Sequence, residues 1–188
     1  MSNSGIFFVI SAPSGTGKST VIDLLLKELP FLKKPVSFTT RDPRPGEKDH
    51  IDYNFISKQE FKAKMDKGDF IEWATVYDNF YATSLDYINK ELEKGSIMIK
   101  DIDTQGALQL KKVLGKKVVL IFIEPPSLQE LENRIRARNK DNEAVVQTRM
   151  NAAMNEMAEA SKYDHRVIND RIENAVLEIK KIIDGHKK

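Results

Sequence analysis

The chain has 188 residues, with 30 Lys and Arg against 28 Asp and Glu and a formal charge of +2. That length suits one compact domain with small insertions, and a composition 40% hydrophobic and 31% charged belongs to a folded globular chain rather than a disordered one. The near balance of charge argues against a bulk nucleic-acid binder, and the lack of cysteine excludes disulfides, thiol nucleophiles and Cys-ligated metals. His50, His165 and His186 have no metal-ligand spacing. No apolar run approaches the ~20 residues that span a bilayer, and the short apolar stretch near the N-terminus has no basic region ahead of it, so a cytoplasmic protein with no membrane partner is expected.

In chain order, Ile6-Phe7-Phe8-Val9-Ile10 is a continuous run of strand formers, the pattern of a buried parallel strand. A Gly-rich loop follows, then Ile22, Leu25, Leu26 and Leu29 on one helix face, stopped by Pro30. Between 36 and 86 the rhythm changes. Val36–Thr40, Tyr53–Ile56 and Phe70–Ala74 read as strands separated by one short helix that opens on the capping box Ser57-Lys58-Gln59-Glu60. This predicts a small mixed or antiparallel sheet. Thr83-Ser84 should begin a helix with Leu85, Ile88 and Leu92 inside and Gly95 as its stop. Ile97–Ile99 and Val118–Ile123 read as buried strands, with a helix over Gly106–Leu114 between them. Ser127-Leu128-Gln129-Glu130 is a second capping box, opening a charged, Arg-rich and mostly exposed helical stretch from 127 to 158. Arg166-Val167-Ile168 is a short strand, and Ile172, Ala175, Val176, Ile179, Ile182 and Ile183 share the face of a last helix. Strands alternating with helices predict an α/β fold with a parallel sheet.

Five groups of residues carry chemistry. Ala12-Pro13-Ser14-Gly15-Thr16-Gly17-Lys18-Ser19-Thr20 lies between a buried strand and a helix, the context of a phosphate-binding P-loop. Gly15 and Gly17 let backbone N–H groups turn inward as an anion nest, and the helix N-terminus adds partial positive charge. Lys18 would bridge the β- and γ-phosphates and the Ser19 hydroxyl would ligate Mg²⁺. The usual opening Gly is Ala12 here. From Lys33 to Lys48 there are five basic and two acidic residues, and Arg41 and Arg44, stiffened by Pro43 and Pro45, suit a second phosphate. A solvated basic loop is the plain alternative.

Glu72 sits in an otherwise apolar strand and needs a partner: a structural cation, or the adjacent N–H donors of a guanine edge. Asp101 and Asp103 end a buried strand on one side, with Ile102 opposite, where carboxylates hold Mg²⁺ or its waters; turn capping is the alternative. Arg134, Arg138 and Arg149 in the 127–158 stretch suit a lid that closes on transferring phosphates, whereas Arg136 reads as surface and ordinary ion pairs compete for all of them.

Together these segments resemble the guanylate kinase family over nearly the whole chain. The resemblance is carried by S-A-P-S-G-T-G-K-S at 11–19, T-T-R-D-P-R-P-G-E at 39–47, D-Y-N-F at 52–55, F-I-E-W-A at 70–74, N-F-Y at 79–81, D-I-D-T-Q-G at 101–106, P-P-S at 125–127 and V-I-N-D at 167–170. It implies a P-loop core (1–35, 87–126 and 159–188), a GMP-binding insertion (36–86) and a helical lid (127–158). It implies ATP and GMP as small-molecule substrates, Mg²⁺ as cofactor, and a monomer or homo-oligomer acting without nucleic acid. Ser37, Glu72, Thr83 and Asp103 would face guanine. Arg41, Arg44, Tyr53, Tyr81 and Arg149 would hold the GMP phosphate. Ser14 to Thr20, Arg134, Arg138 and Asn169 would hold ATP, with Ser19 and, through water, Asp101 at the metal. Lys18, Arg41, Arg44, Arg138 and Arg149 would act on the transferring phosphoryl group. Two departures from the family pattern stand near this set: Ala82 for a glycine, and Lys100 for an apolar residue. A P-loop kinase with another phosphorylated acceptor, or a non-catalytic binding module of the same fold, are the competing readings.

Overall fold

The computed structural model describes residues 5–76, 78–138 and 143–187, apart from the side chain of Arg138. Nine strands and seven α-helices are found among them. The main sheet joins β1 (Ile6–Ser11), β2 (Leu32–Lys33), β7 (Ile97–Asp101), β8 (Val118–Glu124) and β9 (His165–Ile168) in the order β2-β7-β1-β8-β9. All of its pairings are parallel.

The apolar runs of β1 and β8 are buried on both faces because each face carries helices. Phe8, Ile10, Val119 and Ile121 pack with Val21, Ile22 and Leu25 of α1 (Lys18–Glu28) and with Ala175, Val176 and Ile179 of α7 (Ile172–His186). The alternate residues Phe7, Val9, Leu120 and Phe122 pack with Ile88 and Leu92 of α3 (Leu85–Glu93) and Ala107 and Leu110 of α4 (Thr104–Leu114). This period-two division of one strand between two cores is what a doubly covered parallel sheet requires. β1 lies between β7 and β8, so the carboxyl end of β1 opens at a crossover point, where such sheets place ligands.

A second sheet holds β3 (Phe38–Thr39), β4 (Asn54–Phe55), β5 (Phe70–Val76) and β6 (Asn79–Ser84) in the order β4-β3-β6-β5. It is mixed: β3 and β4 are parallel, while β6 runs antiparallel to β3 and β5. The helix before β5, α2 (Lys58–Asp66), opens on the full capping box of Ser57 and Glu60. Its Phe61 anchors the sheet through ring contacts with Phe70 and Phe80. Two expectations shift here. Thr83 and Ser84 end a strand instead of opening a helix, and Ser84 caps α3 with its side chain. Phe80, Tyr81 and Thr83 suit a strand, and pairing with β5 on one side and β3 on the other fixes them there. The helix expected from Gly106 starts earlier, at Thr104, because Asp103 caps it.

The Arg-rich stretch forms two helices, α5 (Leu128–Arg138) and α6 (Glu143–Ala158). Leu131, Ile135, Val146 and Ala153 bury a small core of their own between them. No helix among the described residues is long and apolar enough to cross a membrane.

Candidate active site

The loop between β1 and α1 wraps as the glycines predict. Gly15 and Gly17 take φ values of 93° and 91°, in the left-handed region that L side chains avoid. Gly17 is needed twice over, since a Cβ there would stand 2.9 Å from Asn169 Nδ2. The Thr16 hydroxyl donates to Pro13 O at 2.7 Å and closes the turn. Asn169 Nδ2 donates to Thr16 O at 2.6 Å, tying the loop to the end of β9. The first turn of α1 carries no acidic residue, so nothing of the helix's own quenches the positive end of its dipole.

One cavity of about 620 Å³ joins this loop to the second sheet. Among its walls are Lys18 and Ser19 from α1, Ser37 and Tyr53 beside β3 and β4, Glu72 from β5, Tyr81 and Ala82 from β6, and Lys100, Asp101 and Asp103 from β7 and the turn after it. Glu72 is aimed into it by a bulge. The β5–β6 pairing slips between Phe70 and Glu72, so Ile71 and Glu72 are both buried, the first in the core and the second against the cavity.

Glu72 is 7% exposed, and burial pushes its carboxyl up from the usual range. Two neighbours pull it back: the Lys100 ammonium, and the Thr83 hydroxyl, which donates to Glu72 Oε1. Lys100 in turn donates from Nζ to Thr83 Oγ1, and burial lowers its pKa to about 8 against the opposing pull of Glu72 and Asp101. Thr83 is fully buried beneath this pair. Glu72 therefore has the structural cation that one sequence reading called for, and it also lines the cavity.

Asp101 and Asp103 both line the cavity, and Ile102 between them lines it too while packing into the core. Asp103 also caps α4, accepting from Gly106 N–H at 2.8 Å, so the turn-capping alternative holds beside the cavity position. Hard oxygen donors from Ser19 and Asp101 in one cavity fit a Mg²⁺ that takes its remaining ligands from phosphates and water. No group of three or more His, Asp or Glu that would cage a metal alone occurs among the described residues.

Arg41 and Arg44 lie on the loop after β3. Glu47 holds the Arg41 guanidinium with two bonds of 2.9 Å, and Arg41 stands 5.3 Å over the ring of Tyr53 at the cavity edge. The Arg44 side chain is exposed, and its backbone N–H donates to the same Glu47 at 2.8 Å. Tyr53 and Tyr81 meet edge to face at 6.0 Å.

A second cavity of about 420 Å³ lies on the other side of the loop, lined by Gly15, Thr16, Gly17, Arg134, Ala137, Asn169, Asp170 and Ile172. Asn169 is 2% exposed, and its Oδ1 is buried with no hydrogen-bond partner. An amide oxygen left so is an acceptor awaiting a donor. Arg134 reaches Asn169 O at 3.2 Å and pairs with Glu130 at 2.9 Å. Arg136 pairs with Glu132 and Glu143 on the exposed face, as its surface reading expects. Ser14 and Thr20 stay on the exposed rim of the loop, and Arg149 is half-buried in α6. The Arg138 side chain falls outside the described residues.

Two residues escaped notice as parts of this site. Lys100 stood in the sequence as a charge inside an apolar strand, the same signal that singled out Glu72. Glu156 of α6 faces Lys18 electrostatically, and burial raises its carboxyl; nothing in the charged sequence around it set it apart.

The family model for guanylate kinase matches residues 5–186. A guanylate kinase of Shewanella frigidimarina is 45% identical over 188 residues, all of this chain and 90% of that protein. One of Latilactobacillus sakei is 43% identical over 98% of this chain and 91% of its own length. The crystal structure of guanylate kinase from Anaplasma phagocytophilum superposes with a TM-score of 0.78 at 32% identity, covering 98% of this chain and 87% of that one. With a family model that matches nearly its whole length, relatives above 40% identity and a shared fold, the chain belongs to the guanylate kinase family.

Proposed function

We propose that this chain transfers the γ-phosphoryl group of ATP to GMP, and to dGMP, giving ADP and the nucleoside diphosphate. The observation that carries it is the shared cavity: Lys18 and Ser19 of the phosphate loop and Glu72 of the second sheet line one space. Acceptor and donor would therefore meet without either leaving its own subsite.

ATP would lie along the loop from Ser14 to Thr20, its adenine in the cavity beside Asn169, where the unpartnered Oδ1 would accept from the 6-amino group. GMP would lie on the 36–86 insertion, with Glu72 accepting from guanine, Ser37 and Asp103 around the base, Thr83 fully buried behind Glu72 rather than on the cavity wall, and Tyr53, Tyr81, Arg41 and Arg44 at its phosphate. Arg41 would exchange part of its hold on Glu47 for that phosphate. The 127–158 lid would bring Arg134, Arg138 and Arg149 to the phosphates and exclude water.

No general base is needed, because the attacking oxygen of GMP is already anionic. The work left to the chain is alignment and charge neutralisation by Lys18 and the arginines. A Mg²⁺ held by Ser19 and, through water, Asp101 would supply further neutralisation of the phosphate charge. We place this activity in purine nucleotide metabolism in the cytoplasm, by a monomer or homo-oligomer.

The test is a coupled ADP-release assay with MgATP and a panel of GMP, dGMP, AMP, CMP, UMP and ribose bisphosphate. Turnover confined to GMP and dGMP is expected. Turnover with another acceptor would keep the kinase and overturn the guanine assignment. ATP binding without turnover would point to a binding module.

A further inference from the structure

Lys100 has no task in the activity as derived so far. It is the one buried lysine among the described residues, 5% exposed in a strand otherwise apolar up to Asp101. Its Nζ donates to Thr83 Oγ1, and Thr83 commits its single proton to Glu72. An ammonium has three donors and no acceptor, and Thr83 uses one of them. Thr83 lies beneath, fully buried, whereas Lys100 and Glu72 both line the cavity. The cavity floor thus offers a cationic donor beside a carboxylate with its two acceptor oxygens.

We propose that Lys100 reads the C6 carbonyl oxygen of guanine, donating to it while Glu72 accepts from N1–H and the 2-amino group. The inference rests on the GMP reading of this cavity. The Watson–Crick edge of guanine runs acceptor, donor, donor; Lys100 and Glu72 present donor, acceptor, acceptor. Adenine sets an amino group against the ammonium and a bare nitrogen against the carboxylate, so both positions reject it. Rejection is strong at such a site because the buried charges would be left unpaired. Thr83 then becomes the brace that spaces the two reading groups, its proton being already spent on Glu72.

The test compares the unmutated enzyme with Lys100→Met and Lys100→Gln, using GMP, IMP, AMP and the 5′-monophosphate of 2-aminopurine riboside. Lys100→Met should raise KM for GMP about tenfold or more, cut the preference for GMP over AMP by a similar factor, and leave KM for ATP within about twofold. IMP keeps the C6 oxygen and should suffer the same loss. The 2-aminopurine nucleotide lacks that oxygen and, like adenine, has a bare N1, keeping only its 2-amino group for Glu72; its weaker use should change less than about twofold. Lys100→Gln restores a neutral donor and should recover part of the loss. An equal loss on the 2-aminopurine nucleotide would mean that Lys100 only braces Glu72, and would overturn the proposal, as would an unchanged preference for GMP over AMP.

Should neither variant fold, the lysine ammonium signals of the unmutated protein give the answer by ¹H–¹⁵N NMR. GMP should shift the one buried signal and slow its exchange while AMP leaves it alone; an equal response to both, or none, overturns the contact. An unmutated enzyme that fails to prefer GMP would sink the guanine reading itself, a separate failure from that of Lys100.

Discussion

Asn169 holds the β1–α1 loop with one end of its amide and leaves the other end without a partner, so on the proposed function Asn169→Ala should damage two measurable things at once. The first is stability. The substitution removes the 2.6 Å bond to Thr16 O and strands a buried carbonyl. A lost buried bond with an unsatisfied partner costs about 2 kcal/mol, or roughly 4–8 °C in Tm for a chain of this size. The second is recognition of the ATP base. Oδ1 is buried and unpartnered, and the 6-amino group of adenine would satisfy it. Losing that bond should cost about 1 kcal/mol, some fivefold in KM for ATP. The two effects separate in a steady-state assay that compares ATP with ITP, which carries an oxygen at C6. The unmutated enzyme should prefer ATP, and Asn169→Ala should erase most of that preference while KM for GMP stays within about twofold. If the ATP to ITP ratio is unchanged although Tm has fallen, Asn169 is a brace of the loop alone and the adenine assignment is wrong.

Lys18→Ala should cut turnover by two orders of magnitude or more with a Tm close to that of the parent, since Lys18 lines the cavity and is not part of the core; comparable turnover would refute the P-loop assignment. Glu72→Gln should raise KM for GMP by roughly a hundredfold, because one of two guanine donors would face an amide N–H; an equal rise in KM for ATP would remove its base-reading role. Glu91 tests pH dependence. Lys33, Lys94 and Ser96 hold its carboxyl at about 2, down from 4.5, so its contribution is complete above pH 4.5 and is lost as pH falls toward 2. Glu91→Gln should lower Tm by roughly 2–4 °C at neutral pH, with the difference closing between pH 4.5 and 2. A difference that stays constant with pH would show that the ionised form is not what matters.

The glycine-rich loop between β1 and α1 was legible because everything that shapes it is local: a strand, two glycines and a helix in one stretch of chain. The same holds for α7, whose apolar face repeats without interruption, and for the capping box at Ser57. Glu72 was legible as a carboxylate out of place in an apolar strand. What it touches was not, because Thr83 and Lys100 reach it only through strand pairing and a slip of register that no local spacing encodes. β6 went unread for a similar reason, since its identity as a strand depends on partners on both sides. Asp103 showed the opposite limit: two roles were weighed as rivals, and one side chain at the mouth of a helix performs the capping while facing the cavity.

The slip in β5 has a mechanical side. Ile71 and Glu72 share one rigid peptide bond, the first buried in the main core and the second against the cavity. The bond works as a short lever with its fulcrum in the hydrophobic interior. A motion that draws Ile71 out of that interior would swing the Glu72 carboxylate away from the cavity, while the glycine-rich loop, hung from β1 on a different strand, would stay in place. If Glu72 reads the base as proposed, selectivity would be tied to the seating of a single isoleucine, and loosening Ile71 would blunt the choice of nucleotide while leaving the β1–α1 loop untouched.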